Sequence, residues 1–169
     1  MRTAALVLLA GFLVAGCATP APRPAAEPEA APAATPAAAP TLLSSPSSEV
    51  GARAAAIATR LIGTPYHYGG ATPSGFDCSG LVYYIYQKLG ITLPRTAAAQ
   101  RQALPRVSAE ALRPGDLVFF YTPEDHVGIY VGDGEFVHAP ASGRLVERTR
   151  LDSPFFILGY AGGARVTTP

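Results

Sequence analysis

The sequence predicts an α+β domain, with N-terminal helices packed on a small antiparallel β-sheet. Three observations predict it. Apolar residues recur at helical spacing between residues 49 and 89. Short apolar runs parted by turn signals follow from 113 to 160. The two patterns do not alternate, which separates α+β from a parallel βαβ arrangement.

Before the domain, Met1-Arg2-Thr3 supplies a positive start and the run Ala4 to Ala15 is apolar apart from Gly11, too short to span a bilayer. It leads into Leu13-Val14-Ala15-Gly16-Cys17, which resembles a bacterial lipobox. Residues 1–16 are therefore expected to be a lipoprotein signal peptide, with Cys17 the lipidated mature N-terminus; an ordinary signal peptide or an uncleaved helix is the competing reading. Ala18 after that cysteine resembles the outer-membrane sorting pattern, facing the periplasm in a Gram-negative cell. From 17 to 48 an Ala/Pro-rich disordered tether is expected, since eleven alanines and eight prolines fill residues 18–48 and proline blocks helix and ladder bonding alike. In polyproline geometry it reaches on the order of 90 Å. A passive spacer has the same composition.

The folded domain is expected over 49–169. Glu49 to Ile62 reads as a helix with Ser48 as its cap and Gly63 and Pro65 as its stop. A glycine-rich loop follows, and Cys78 to Leu89 reads as a second helix, with Leu81, Ile85 and Leu89 on one face, Asp77 as N-cap and Gly90 as its end. Leu117 to Tyr121 reads as a strand with both faces apolar, and His126 to Val131 as the next. Gly132-Asp133-Gly134 marks a hairpin into Glu135 to Ala139. Two more strands are expected around Leu145 to Glu147 and Ile157 to Tyr160.

Charge narrows the function. A formal net charge of +1, with Lys88 the one lysine among scattered arginines, excludes a strongly basic nucleic-acid binder. If Cys17 carries a lipid, Cys78 is a lone thiol in an oxidising compartment. At a helix start, unpaired N–H groups and the macrodipole favour its thiolate, and the backbone N–H of Cys78 or Ser79 can serve a developing oxyanion. His126 and His138 lie on adjacent strands, since 128 and 138 are equally far from the hairpin turn. A cysteine, a histidine to take its proton and a second polar residue to orient that histidine make an arrangement for nucleophilic catalysis. Two other readings stay open: a zinc site of Cys78, His126 and His138, although no metal-ligand spacing supports it, and strand histidines satisfied by backbone carbonyls. His67 reads as a surface or cleft residue.

Six stretches carry a family resemblance: Tyr66-His67-Tyr68-Gly69-Gly70, Phe76 to Val82, Leu93-Pro94-Arg95-Thr96, Arg113 to Phe120, His126 to Tyr130 and Phe136-Val137-His138-Ala139. In series, from about Glu49 to Tyr160, they resemble the NlpC-type cell-wall cysteine peptidases. The resemblance implies a papain-like fold with the nucleophile at a helix N-terminus. It implies Cys78 as nucleophile, His126 as general base and acid, and His138 as the residue that orients His126. Tyr66 and Ser79 would serve substrate or oxyanion, and His67 stands where the family often has arginine. No metal and no cofactor is implied. The substrate implied is peptidoglycan stem peptides, cut at a D-glutamyl–diaminopimelate bond or a diaminopimelate–D-alanine crosslink through a thioester. An amidase or acyltransferase on the same scaffold and a non-catalytic wall-binding lipoprotein are the alternatives. The expected protein is a monomer, exported and held to the membrane through Cys17, and Arg95 or another arginine is a candidate for meeting a stem carboxylate.

Overall fold

The computed structural model describes residues 46–122 and 124–167. The expected signal peptide 1–16, Cys17 and the tether up to residue 45 lie outside the described residues.

Helix α1 spans Pro46–Arg60, three residues earlier than the spacing predicts, so Ser48 lies in its first turn instead of capping it. Glu49 near its start and Arg60 near its end complement the helix dipole. Strands β1 (Ala71–Thr72) and β2 (Gly75–Phe76) form a small antiparallel ribbon that closes the glycine-rich loop. Helix α2 covers Cys78–Lys88. Its stop is a Schellman motif: Gly90, at φ 80°, donates its N–H to the Gln87 carbonyl, and Ile91 donates to that of Tyr86. Helix α3, Ala97–Ala103, is capped by Thr96, whose hydroxyl accepts from the Ala99 N–H at 3.4 Å.

The remaining elements build one sheet. Strands β3 (Arg106–Val107), β4 (Leu117–Thr122), β5 (Glu124–Gly132), β6 (Glu135–His138), β7 (Glu147–Arg150) and β8 (Tyr160–Ala164) pair antiparallel in the order β3-β8-β4-β5-β6-β7. The last helix, α4, covers Pro154–Gly159.

Two sequence expectations are corrected here. The strand expected at Leu145 to Glu147 begins at Glu147, because Leu145 only bridges back to Pro65 and the pairing with β6 starts at His138↔Glu147. The strand expected at Ile157 to Tyr160 is mostly α4. Ser153 followed by Pro154 at the first helical position starts a helix there, and the apolar run Phe155 to Leu158 is about one turn of it.

Both faces of β4 are covered, which explains its continuous apolar run. Leu117 and Phe119 join Val127, Ile129 and Val137 against Leu81, Val82 and Ile85 of α2 and Ala54 and Ala58 of α1. Val118, Phe120 and Phe136 face the other way, onto Phe156 of α4. Full burial of each large apolar side chain contributes about 1.5–3 kcal/mol. The α2 layer holds most of the core, so the start of α2 and the middle of β5 are fixed against each other.

Candidate active site

Asp77 sets up the start of α2. It is extended, at φ −90° and ψ 176°, and its Oδ1 accepts the Gly80 N–H at 2.6 Å. Arg95, arriving from the loop before α3, clamps the same carboxylate: Nη1 donates to Oδ1 at 2.9 Å and Nη2 to Oδ2 at 2.6 Å. The guanidinium also donates to Ser79 Oγ at 3.0 Å and to the Gly70 carbonyl at 3.3 Å, which ties the glycine-rich loop to the helix. Burial works to raise the Asp77 pKa, but these bonds and the Arg95 charge hold it below the usual carboxylate value. The fully buried Gln100 of α3 adds a second tie, donating Nε2 to the carbonyls of Ser79 and Pro94. A Cβ on Gly80 would collide with the Gly70 carbonyl, so this close approach requires glycine.

Cys78, a free cysteine, is the first residue of α2 and is half-buried. Burial pushes its thiol up. The Val127 backbone N–H pulls it down, the Asp77 charge pushes it up again, and the N–H groups of Ser79 and Cys78 itself pull it down. The net direction is upward, against the thiolate expected from the helix start alone. Burial and the capping carboxylate outweigh the helix N–H groups, so the resting group is a thiol that needs a base.

Val127 lies on β5 directly after His126. The register places Gly128 opposite His138 by extension of Ile129↔Val137, with a bulge between Tyr130 and Gly132. His126 and His138 are thus diagonal neighbours, and His126 Nε2 lies 2.8 Å from His138 Nδ1. Gly128 makes room for this: a Cβ there would sit 2.5 Å from Phe136 Cδ2 and 3.2 Å from the His138 Cβ. Beyond it, His138 Nε2 lies 3.2 Å from Thr149 Oγ1 and 3.6 Å from Glu147 Oε1. A carboxylate so close favours a proton on Nε2, which leaves His138 Nδ1 bare to accept the His126 Nε2–H. The basic nitrogen of His126 is then Nδ1. Burial lowers the His126 pKa to about 4. Burial, with His126 and Arg144 adding to it, lowers that of His138 to about 3. Both rings are neutral near pH 7.

Cys78 and the two imidazoles line two different cavities. A cleft of about 490 Å³ is lined by Tyr66, Asp77, Cys78, Ser79, Arg95 and Asp125. On the histidine side, a cavity of about 500 Å³ is lined by His126, His138, Arg144, Glu147, Phe155 and Phe156 among others. Among the described residues no hydrogen bond joins the Cys78 sulfur to either ring, and resting pairs of this kind are often loose until substrate binds. The fold thus supplies a thiol at a helix start with backbone N–H groups around it, and a neutral, mutually bonded histidine pair whose first member directly precedes Val127. Among the described residues no group of three or more His, Cys, Asp or Glu side chains is placed to hold a metal ion.

Of the residues singled out from sequence, Cys78, Ser79 and Tyr66 share one cleft, and His126 and His138 bond to each other and line a second cavity. His67 is exposed and outside that lining, and Arg95 is engaged by Asp77. Sequence reasoning missed Gln100, Glu147 and Thr149. The alternation of Glu147 and Thr149 along a short polar strand was a signal; an amide amid alanines after a Thr cap was another.

Comparison with known proteins places these observations in company. Residues 63–163 match the model of the NlpC/P60 family. The chain is 46% identical over 117 residues to the murein DD-endopeptidase MepH of Escherichia coli (strain K12), covering 64% of this chain and 43% of that one. It is 40% identical over 109 residues to the gamma-D-glutamyl-L-lysine dipeptidyl-peptidase of Bacillus cereus, covering 62% of this chain and 33% of that one. The crystal structure of the NlpC/p60 domain of the peptidoglycan hydrolase SagA superposes with a TM-score of 0.61 at 34% identity, over 69% of this chain and 98% of that one. The chain spans less than half the length of the two curated relatives.

Proposed function

Because the chain belongs to the NlpC/P60 family, we propose that it is a cysteine endopeptidase of peptidoglycan, hydrolysing amide bonds in stem peptides or their crosslinks. The observation that carries this reading is the bonded pair of His126 on β5 and His138 on β6, with the N–H of the next residue of β5, Val127, reaching the sulfur of Cys78. A wall-binding module has no use for an oriented imidazole next to a thiol.

In this reading His126 Nδ1 takes the proton of Cys78, and the thiolate attacks the peptide carbonyl. The N–H groups of Ser79 and Cys78 meet the developing oxyanion, with Tyr66 on the same cleft wall. The C–N bond breaks as His126 returns the proton to the amine, leaving a thioester on Cys78. Water, deprotonated by His126, then releases the acid and regenerates the thiol. His138 holds the tautomer of His126, and Thr149 and Glu147 hold that of His138.

The relatives support the substrate class and differ on the bond: one is named for a DD-endopeptidase, the other for a gamma-D-glutamyl-L-lysine dipeptidyl-peptidase. Export to the cell envelope, with anchoring through Cys17, accords with that substrate. The test is digestion of purified sacculi with mass identification of products. Loss of crosslinked dimers marks the diaminopimelate–D-alanine bond, and release of dipeptide-capped glycan marks the D-glutamyl bond. Intact stem peptides freed from lactyl groups would show an amidase instead. A Cys78→Ala chain that remained fully lytic would end the thiol mechanism.

A further inference from the structure

The cavity on the histidine side is unused by the chemistry above. It is bounded by His126, Pro140, Ala141, Arg144, Phe155 and Phe156 and encloses about 500 Å³. Which half of a substrate lies there follows from the reaction. The acyl half becomes bonded to Cys78 and must lie on the side of the sulfur and its N–H donors. The leaving amine must lie within reach of the imidazole that protonates it. Asp125 lines the cysteine cleft and His126, the next residue of β5, lines this cavity, so a scissile bond held between the sulfur and the imidazole would lie where the two cavities adjoin at β5.

From this placement we infer that the histidine-side cavity is the leaving-group subsite, and that Arg144 selects an amine fragment carrying a free carboxylate on a short aliphatic chain. The inference rests on the peptidase reading and adds the recognition element. The wall supplied by Pro140, Ala141, Phe155 and Phe156 is apolar and fits methylenes. Arg144 is the cation of the cavity. Its Nη2 donates to both oxygens of Glu147, at 2.8 and 2.7 Å. That pairing uses Nη2 alone, which leaves Nε–H and Nη1–H₂ for a second acceptor. Its side chain is 59% exposed, so a ligand carboxylate can reach it without displacing Glu147. Glu147 keeps the guanidinium over the cavity and stands 3.6 Å from His138 Nε2. An occupant bonded to Arg144 is thereby registered against the histidine pair.

The experiment uses the full chain with two crosslinked muropeptides that differ only in whether the carboxylate beside the leaving amine is free or amidated. The wild type should cleave the free acid with kcat/KM about tenfold higher, the low end for a hydrogen bond to a charged group because the arginine is well exposed. In Arg144→Gln that ratio should fall to about one, and in Arg144→Lys it should be partly kept. Equal rates on both substrates in the wild type would overturn the inference while leaving the peptidase reading intact. A second arm does not depend on turnover: Cys78→Ala is titrated by NMR with a muramyl tripeptide ending in diaminopimelate, as free acid and as amide. Shifts at Arg144 and Phe155 that are larger with the acid support the subsite, even if no bond is cut. Shifts confined to Tyr66 and Arg95 overturn it.

Discussion

Replacing Arg95 by Met keeps most of the aliphatic stem and removes the clamp on the α2 cap. The lost bonds are those to Asp77 at 2.9 and 2.6 Å, to Ser79 at 3.0 Å and to Gly70 at 3.3 Å. A hydrogen bond involving a charged group contributes about 1.5–3 kcal/mol. Two things reduce the total. Arg95 is 37% exposed, so water screens the pair, and Asp77 keeps the Gly80 N–H at 2.6 Å. A net loss of about 2 kcal/mol follows, readable as a lower urea midpoint with an unchanged slope. The chemistry should change as well. Asp77 raises the Cys78 pKa, and Arg95 stands next to both. Without the guanidinium the carboxylate acts unopposed, and the thiol moves further up. Iodoacetamide alkylation of Cys78, followed across pH, should therefore shift its rising limb to higher pH in the variant. An unmoved midpoint together with an unmoved alkylation profile would refute the clamp. A moved midpoint with an unmoved profile would refute its electrostatic half alone.

Three other outcomes are expected. Protonated His126 cannot accept the Cys78 proton, and burial lowers its pKa to about 4, so kcat/KM should rise through about pH 4 and be level by pH 6; a limb near the ordinary histidine value of 6.5 would show that burial does not act as described. His138→Leu should lower kcat by about 10²-fold with KM little changed, while His138→Gln, which can still accept the His126 Nε2–H, should recover part of it; equal activity in both variants would remove His138 from the mechanism. Gly80→Ala drives a methyl against the Gly70 carbonyl and to 2.9 Å from Asp77 Oδ1, and should cost about 2 kcal/mol or more by urea unfolding, with activity falling alongside.

The helix α2, the strands β4 to β6 and the diagonal histidines were readable in the residues because each carries its own local signal: a cap, an apolar period, a glycine-marked turn. What escaped depends on contacts distant along the chain. α3 has almost no apolar period, since Ala97, Ala98 and Ala99 are small and its burial is by Ala97 and Gln100. α4 read as a strand because Phe155 to Leu158 is an unbroken apolar run, and such a run does not distinguish a buried strand from a short helix. The state of Cys78 was misjudged for a related reason. A helix start is visible in sequence, whereas the desolvation imposed by the sheet, and the carboxylate held beside the sulfur by Arg95, are properties of the assembled fold. Arg144 lies just before β7 and Glu147 opens it, and the pairing of β7 with β6 brings them to His138.

The sulfur belongs to α2 in the first half of the described domain, while the N–H that faces it and the neighbouring imidazole come from β5 in the second half. A chain that ends before β5 has the thiol but neither the Val127 N–H nor His126. In the proposed mechanism the thiol and its base therefore come together only when the sheet closes on the helix.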